Sequence, residues 1–251
     1  MSVLNAERIK LTSTKSPMWC SLIAVVVSVG FAAIMGVAYK SLVSSGDNSM
    51  GEFTVAYTQA GAAQFGAMLV MIMSALAVTT EYRFGVIRTT FQAIPRRTQV
   101  IGGKAALLAA IAAVLGLVIA LASFFVAQAT SGETLSMGSG DNARELFGIP
   151  IYYALLAVLA VGVGTLIRQS GGAISLLLLL WPLVIESLAT IIPKVGKYVG
   201  EFGPFNNVNY FLGNGGGFDF HWGPWGGLLY FAAFVAIVFG ASLFVVNKRD
   251  A

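Results

Sequence analysis

Apolar residues run along this chain in six long stretches, at about 17–39, 57–80, 100–127, 149–167, 173–192 and 225–246. Each stretch is continuous, without the alternation that a half-buried strand would show. Each is near the ~20 residues that a helix needs to cross a bilayer core about 30 Å thick. Backbone groups in lipid must pair within the protein, which allows only helices or closed barrels. Continuous runs select helices, because barrel strands alternate. The pattern therefore predicts an all-α, polytopic membrane protein with six spans. Pro17 stands at the start of the first run, where a helix tolerates proline. Pro182, inside the fifth, predicts a kink, which serves gating or packing equally well.

Composition agrees. The chain has 251 residues, 57% of them hydrophobic and 10% charged, against roughly 25% charged in soluble domains. The connections differ in character. Residues 44–56 are polar and slightly acidic, 81–99 basic, and 130–148 polar with Glu133, Asp141 and Glu145. Residues 168–172 form a very short turn, and 193–224 are long and rich in Gly, Asn and aromatics. With both termini on one side, that side collects eleven Lys and Arg and the other only Lys40, Arg144, Lys194 and Lys197. The excess of basic residues predicts that both termini are cytoplasmic.

Basic residues cluster at the ends of apolar runs, which suits contact with membrane lipid and not with nucleic acid. The first run is too long, and its basic flank too extended, for a cleaved signal. Cys20 is the single cysteine, so no internal disulfide forms. No internal repeat supports an inverted-repeat carrier.

Several residues are candidates for chemistry. Residues 2–16 read as a short amphipathic helix, with Val3, Leu4, Ile9 and Leu11 set among Glu7, Arg8, Lys10 and Lys15. Such a helix either lies in the interface or is a solvated basic anchor. In the loop 81–97, Phe84, Ile87, Phe91 and Ile94 recur at helical spacing. That stripe fits a groove on another protein or the chain's own spans and lipid.

Glu186 lies inside the fifth span, where an acid costs about 2.5–3.5 kcal/mol on insertion scales. It is either hydrogen-bonded to a neighbouring span, through Ser187 or Gln64, or used at a substrate or dimer interface. Gln59 and Gln64 face the same choice, with interhelical hydrogen bonding favoured. His221 reads as an exposed loop residue beside the interfacial Trp222 and Trp225, and no residue group has metal-ligand spacing. Gly162, Gly164 and the alanines of the third span allow close helix approach.

The run Glu7-Arg8-Ile9-Lys10-Leu11-Thr12-Ser13-Thr14-Lys15-Ser16-Pro17-Met18-Trp19 resembles the start of type-2 ABC transporter permeases of Gram-positive and actinobacterial exporters. The stretch Glu81-Tyr82-Arg83, with Gly85, Ile87, Arg88, Thr90 and Pro95-Arg96-Arg97, is similar to that family's loop between spans two and three. The six-span layout agrees along the whole chain. The resemblance implies an elbow helix at 1–16 carrying Glu7, Lys10 and Lys15, followed by a six-span domain at 17–251. It implies a coupling helix that seats in a cytoplasmic ATPase, using Glu81, Arg83, Phe84, Ile87, Arg88, Phe91, Arg96 and Arg97. The turn 168–172 would be a second contact. Short outer helices at 191–199 and 205–212 would precede the last span.

A phosphate loop needs Gly, four residues, then Gly-Lys-Ser/Thr. Lys104 is followed by Ala105 and Lys197 by Tyr198, so neither is a nucleotide site. The expectation is a non-enzymatic permease subunit with no cofactor of its own. ATP and magnesium would be held by two partner ATPase subunits. A second copy or a related permease would complete the route in the cell membrane. Apolar spans favour an amphiphilic, lipid-, peptide- or drug-like cargo. The rival reading is an ATP-independent channel, carrier or membrane scaffold. A membrane enzyme would need clustered acids, a metal site or an activated nucleophile, and the sequence supplies none.

Overall fold

Residues that must shield their own backbone polar groups from lipid form helices, and among the described residues there are no strands. The structure, a computed structural model, describes residues 15–46, 51–94, 96–138, 140–188, 191–192, 195–215 and 217–248. Six helices are long and apolar enough to cross a membrane. They are α1 (Lys15–Ser44), α2 (Val55–Arg83), α4 (Arg97–Ser131), α5 (Gly140–Ile167), α6 (Ser170–Leu188) and α9 (Pro224–Lys248). Among the described residues three shorter helices link them: α3 (Val86–Ala93) between α2 and α4, and α7 (Val195–Phe202) and α8 (Pro204–Phe211) between α6 and α9. Most spanning helices outrun the apolar stretches, because polar residues at their ends continue the helix.

Glu7 and Lys10 lie outside the described residues. So does the expected elbow helix, apart from Lys15 and Ser16 at the start of α1. The short helices near the predicted 191–199 and 205–212 begin at Val195 and at Pro204. Pro204, with no N–H to lose, opens α8.

The helix at the centre is α5. Two-thirds (67%) of its most apolar window is buried, against 20–22% for α1, α6 and α9. It packs on α4, α2 and α9, and its Tyr153, Leu156, Ala157 and Ala160 are fully enclosed. Outer faces of α1, α4 and α9 carry exposed Leu22, Val26, Ile34, Val114, Phe125, Leu229 and Ile237, side chains suited to lipid.

Close approach depends on small residues. A Cβ on Gly162 would come 3.3 Å from the Phe239 backbone, and one on Gly116 would come 3.0 Å from Pro150 Cα. Gly36 of α1 is tighter: a Cβ there would meet Thr130 Oγ1 and lie 2.8 Å from the Ala127 carbonyl.

The ladder of α2 is interrupted by a π-helical turn at Ala62–Gly66. The turn is held by side chains from two other helices. Tyr153 Oη donates to the Ala62 carbonyl at 2.9 Å, and Ser28 Oγ donates to the Gly61 carbonyl at 3.4 Å. In α6 the segment Leu176–Leu188, which contains Pro182, is also π-helical. The proline cannot continue an α ladder, and Ser187 Oγ bonds the Pro182 carbonyl at 2.9 Å.

The α1–α4 contact generates a test. Gly36→Val should lower stability by about 1–3 kcal/mol through overpacking. Gly30→Val, where nothing lies within 4 Å, should change it by less than about 0.5 kcal/mol. Thermal unfolding of the two variants in detergent measures the difference.

Candidate functional site

Two polar assemblies stand out, one at each end of the bundle. The first surrounds α3. After Arg83 the chain turns through Phe84, and Gly85 takes a left-handed conformation (φ 70°) that favours glycine. This break takes Phe84 out of the helical phase of Ile87, Phe91 and Ile94. Ile87 (2% exposed) and Phe91 (9%) face the chain's own core, and Ile94 packs against it. Phe84 is 72% exposed.

The expected stripe is therefore divided. Ile87 and Phe91 hold α3 to the bundle, while Arg83, Phe84, Arg88, Gln92 and Arg96 face outward. The Arg83 guanidinium sits 5.7 Å from the Phe84 ring centre. Arg97, half-buried, lies over Phe91 and donates from Nη1 to the Val246 carbonyl near the end of α9 at 3.2 Å.

Glu81, expected to contact a partner, points inward instead. Its Oε1 accepts from Lys104 Nζ of α4 at 2.9 Å, and both residues are buried. The same end holds the turn between α5 and α6. There Arg168, at φ 59°, stacks 5.1 Å over Tyr82, and Thr79 Oγ1 lies 2.8 Å from Ser170 Oγ. Lys104, Tyr82 and Thr79 thus join α2 to α4 and to the α5–α6 turn.

The second assembly holds α8. Its N-cap is Gly203, which has no side chain to cap with, and Pro204 has no N–H. The first available donors are the amides of Phe205 and Asn206. Both reach the Glu186 carboxylate of α6, at 3.1 and 2.7 Å. Ser187 Oγ bonds the Pro182 carbonyl at 2.9 Å, and Gln64 is exposed.

At the other end of α8, Arg144 of α5 donates to the carbonyls of Phe211 and Tyr210. It also pairs with Asp141 at 3.1 Å and Glu145 at 3.5 Å. A helix carries about half a positive charge at its N-terminus and half a negative charge at its C-terminus. α8 is thus clamped by an acid and a base of matching sign.

Asn207, fully buried, completes the mount. Its Nδ2 donates to the carbonyls of Glu201 and Gly203, and its Oδ1 accepts from Trp222 Nε1 at 2.8 Å. His221 lies 3.4 Å from the buried Glu201. No group of residues suited to a metal occurs among the described residues. Gln59 is buried and donates to the Ala120 carbonyl of α4 at 3.1 Å.

Beside Glu186 lies a cleft of about 100 Å³ between α2, α5, α6 and α8. Its walls combine Gln64, Glu186, Ser187, Asn206 and Asn209 with Met68, Met71 and Tyr152.

Arg144, Asn207, Lys104 and Tyr153 carry much of this structure and were not singled out from the sequence as site residues. Arg144 and Lys104 have a legible signal, as cations near predicted span ends.

Compared with protein-family models and with curated protein sequences, the chain matches none. The fold itself defines the class. It is an all-helical chain with six helices long and apolar enough to cross a membrane, the layout of a multi-pass membrane protein.

Two measurements test these assemblies. Glu186→Ala should speed hydrogen exchange of the Phe205 and Asn206 amides by about tenfold or more, since hydrogen bonds to a charged group contribute about 1.5–3 kcal/mol. Exchange mass spectrometry in lipid discs reads it. Lys104→Met should lower stability by about 3–5 kcal/mol, because it leaves a buried carboxylate without its lysine. The double variant Glu81→Leu with Lys104→Met should recover most of that loss in the same thermal unfolding assay.

Proposed function

We propose that this chain is the permease subunit of an ATP-driven exporter of the type-2 ABC class, working with a separate ATPase. One observation carries the reading. α3 is a short helix fastened to the bundle by Ile87 and Phe91, and Arg88 on it, with Arg83, Phe84 and Arg96 on the segments that flank it, is exposed. A segment that only set topology would need the basic residues alone. Phe84 at 72% exposure, beside Arg83 and Arg88, is the kind of anchor that seats in a protein groove.

In this proposal α3 is a coupling helix on the cytoplasmic side of the cell membrane, both termini share that side, and α7 and α8 are outer helices. The turn at Arg168 makes the smaller contact. ATP and magnesium bind two partner ATPase subunits, consistent with the absence of a phosphate loop in this sequence. A second copy or a related permease completes the route for an amphiphilic cargo.

Coupling follows from the contacts around α3. A partner shifts the balance between two arrangements only by binding them with different affinity. Movement of α3 reaches the core through Ile87 and Phe91. It reaches α4 through Glu81–Lys104, and the α5–α6 turn through Tyr82–Arg168 and Thr79–Ser170. The spans then tilt as linked bodies, since packed helices do not deform freely.

The division of the stripe gives a sharp test. Phe84→Asp and Arg88→Glu should abolish co-purification of an ATPase and transport, while thermal unfolding of the isolated chain stays within about 0.5 kcal/mol. Phe91→Asp should instead destabilise the chain by several kcal/mol, because it buries an unpaired charge. Particles purified from the native membrane that never contain a nucleotide-hydrolysing chain would overturn the proposal.

A further inference from the structure

A second crevice, of about 200 Å³, lies between α5, α6 and α9. The nine described residues that border it are all apolar. Leu159, Val163, Leu166 and Ile167 of α5 form its floor, with Leu177 of α6 and Val238 of α9 on the two sides. The spacing of the four α5 residues places them on one face of the helix, one above the other. Eight residues of α-helix span about 12 Å, so the crevice runs along the helix axis.

Leu159, Val163 and Leu177 are buried, while Leu166 and Val238 are half-buried. The floor therefore lies beneath the bundle surface and the rim opens onto it. Phe205 stands at the α8 end of the crevice. It is buried, and its ring meets the fully buried Phe231 of α9 edge-on at 5.4 Å. The amide of Phe205 is one of the two that Glu186 holds, so the clamp on α8 also fixes this stop. At the opposite end lies Ile167, the last residue of α5.

Water is a poor occupant of such a space, because a buried water needs about two to four polar partners. An engineered cavity of about 150 Å³ with Leu, Ile and Phe walls stays dry and binds benzene. A helix is about 10 Å across with its side chains, too wide to enter. The solvent around lipid-spanning helices is hydrocarbon. Half of a bilayer core is about 15 Å deep, close to the ~12 Å between Ile167 and Leu159. The crevice thus has the length, direction and chemistry of a lipid tail that starts at the α5–α6 turn and ends near the bilayer middle.

We infer that this crevice binds one acyl chain of a membrane phospholipid from the leaflet on the α3 side, inserted with its terminal methyl towards Phe205. The chain lies along α5 and fills the space between α6 and α9. Phe205 limits how far it enters. The bound chain also ties α6 to the bundle, a helix of which only 20% of the most apolar window is buried by protein. The inference needs the six-span layout and not the permease reading, and the test is done on the chain without an ATPase.

The full chain in phosphatidylcholine discs is labelled with two photoreactive phosphatidylcholines, one with a diazirine near the methyl end of an acyl chain and one with it near the carboxyl end. Adducts are mapped by mass spectrometry. The methyl-end probe should label the buried Leu159 and Val163, and the carboxyl-end probe Leu166 and Ile167. Ile237 of α9, 71% exposed, meets any lipid and serves as the internal standard. Val163→Trp and Val238→Phe, which fill the space from its floor and from one side, should each lower labelling of Leu159 tenfold or more relative to Ile237. Phe205→Ala keeps the amide that Glu186 holds and should let the methyl-end probe reach Phe231. Unlabelled Leu159 in the wild type would overturn the inference, and native mass spectrometry then reads whether a second copy occupies the crevice. Equal labelling of Leu159 in the wild type and both filled variants would overturn it too, as would a reversed pattern of the two probes. Phe84→Asp should leave labelling of Leu159 unchanged, so failure of this inference and failure of the permease reading are read separately.

Discussion

Inside a bilayer each backbone N–H and C=O needs a partner within the protein, and that demand shapes this molecule wherever its helices depart from regularity. An unbroken α-helix meets the demand locally. Among the described residues three places depart from an unbroken α-helix, and at each a side chain bonds the backbone. The π-helical turn of α2 gives its carbonyls to Tyr153 of α5 and Ser28 of α1. The segment of α6 around Pro182 uses Ser187. The start of α8, with a glycine cap and a proline, gives its amides to Glu186 of α6. Irregularity is thereby converted into tertiary linkage, since each rescuing side chain fixes one helix against another or ties a turn within it.

The two ends of the bundle use different means for different tasks. At the α3 end the links are an ion pair, a cation over a ring and a hydroxyl pair, which join α2 to α4 and to the α5–α6 turn. At the α8 end the links hold a short helix by both of its poles, with Glu186 at one and Arg144 at the other. The electrostatic match there is with the helix itself, so α8 is oriented as well as attached. Glu186 also lines the cleft between α2, α5, α6 and α8.

The six spanning helices were legible because hydropathy and length are summed over about 20 residues, and one misplaced residue hardly alters the sum. The acid at Glu186 was legible as an anomaly for the same reason. Its partners were not, because they are backbone amides 19 and 20 residues onward, and amides have no sequence signature. Ser187 and Gln64 were the polar side chains that the sequence offered. The helical period of Ile87, Phe91 and Ile94 was likewise visible. Which surface they would meet was not, because an apolar face fits its own bundle and a partner's groove equally well. Gly85 decided that Phe84 would leave the stripe, and its left-handed turn is a local event that periodicity averages away.

By itself the sequence determined the class of environment, the number and approximate limits of the spans, and the presence of one costly intramembrane acid. These are properties of composition along the chain, and no long-range contact is needed to set them. Only the tertiary structure decided that α5 is the centre, that Glu81 faces Lys104 and not a partner, and that Glu186 caps α8. Those outcomes depend on how the helices are rotated about their own axes. Rotation is set by small residues such as Gly36, Gly116 and Gly162, whose value lies in what packs against them.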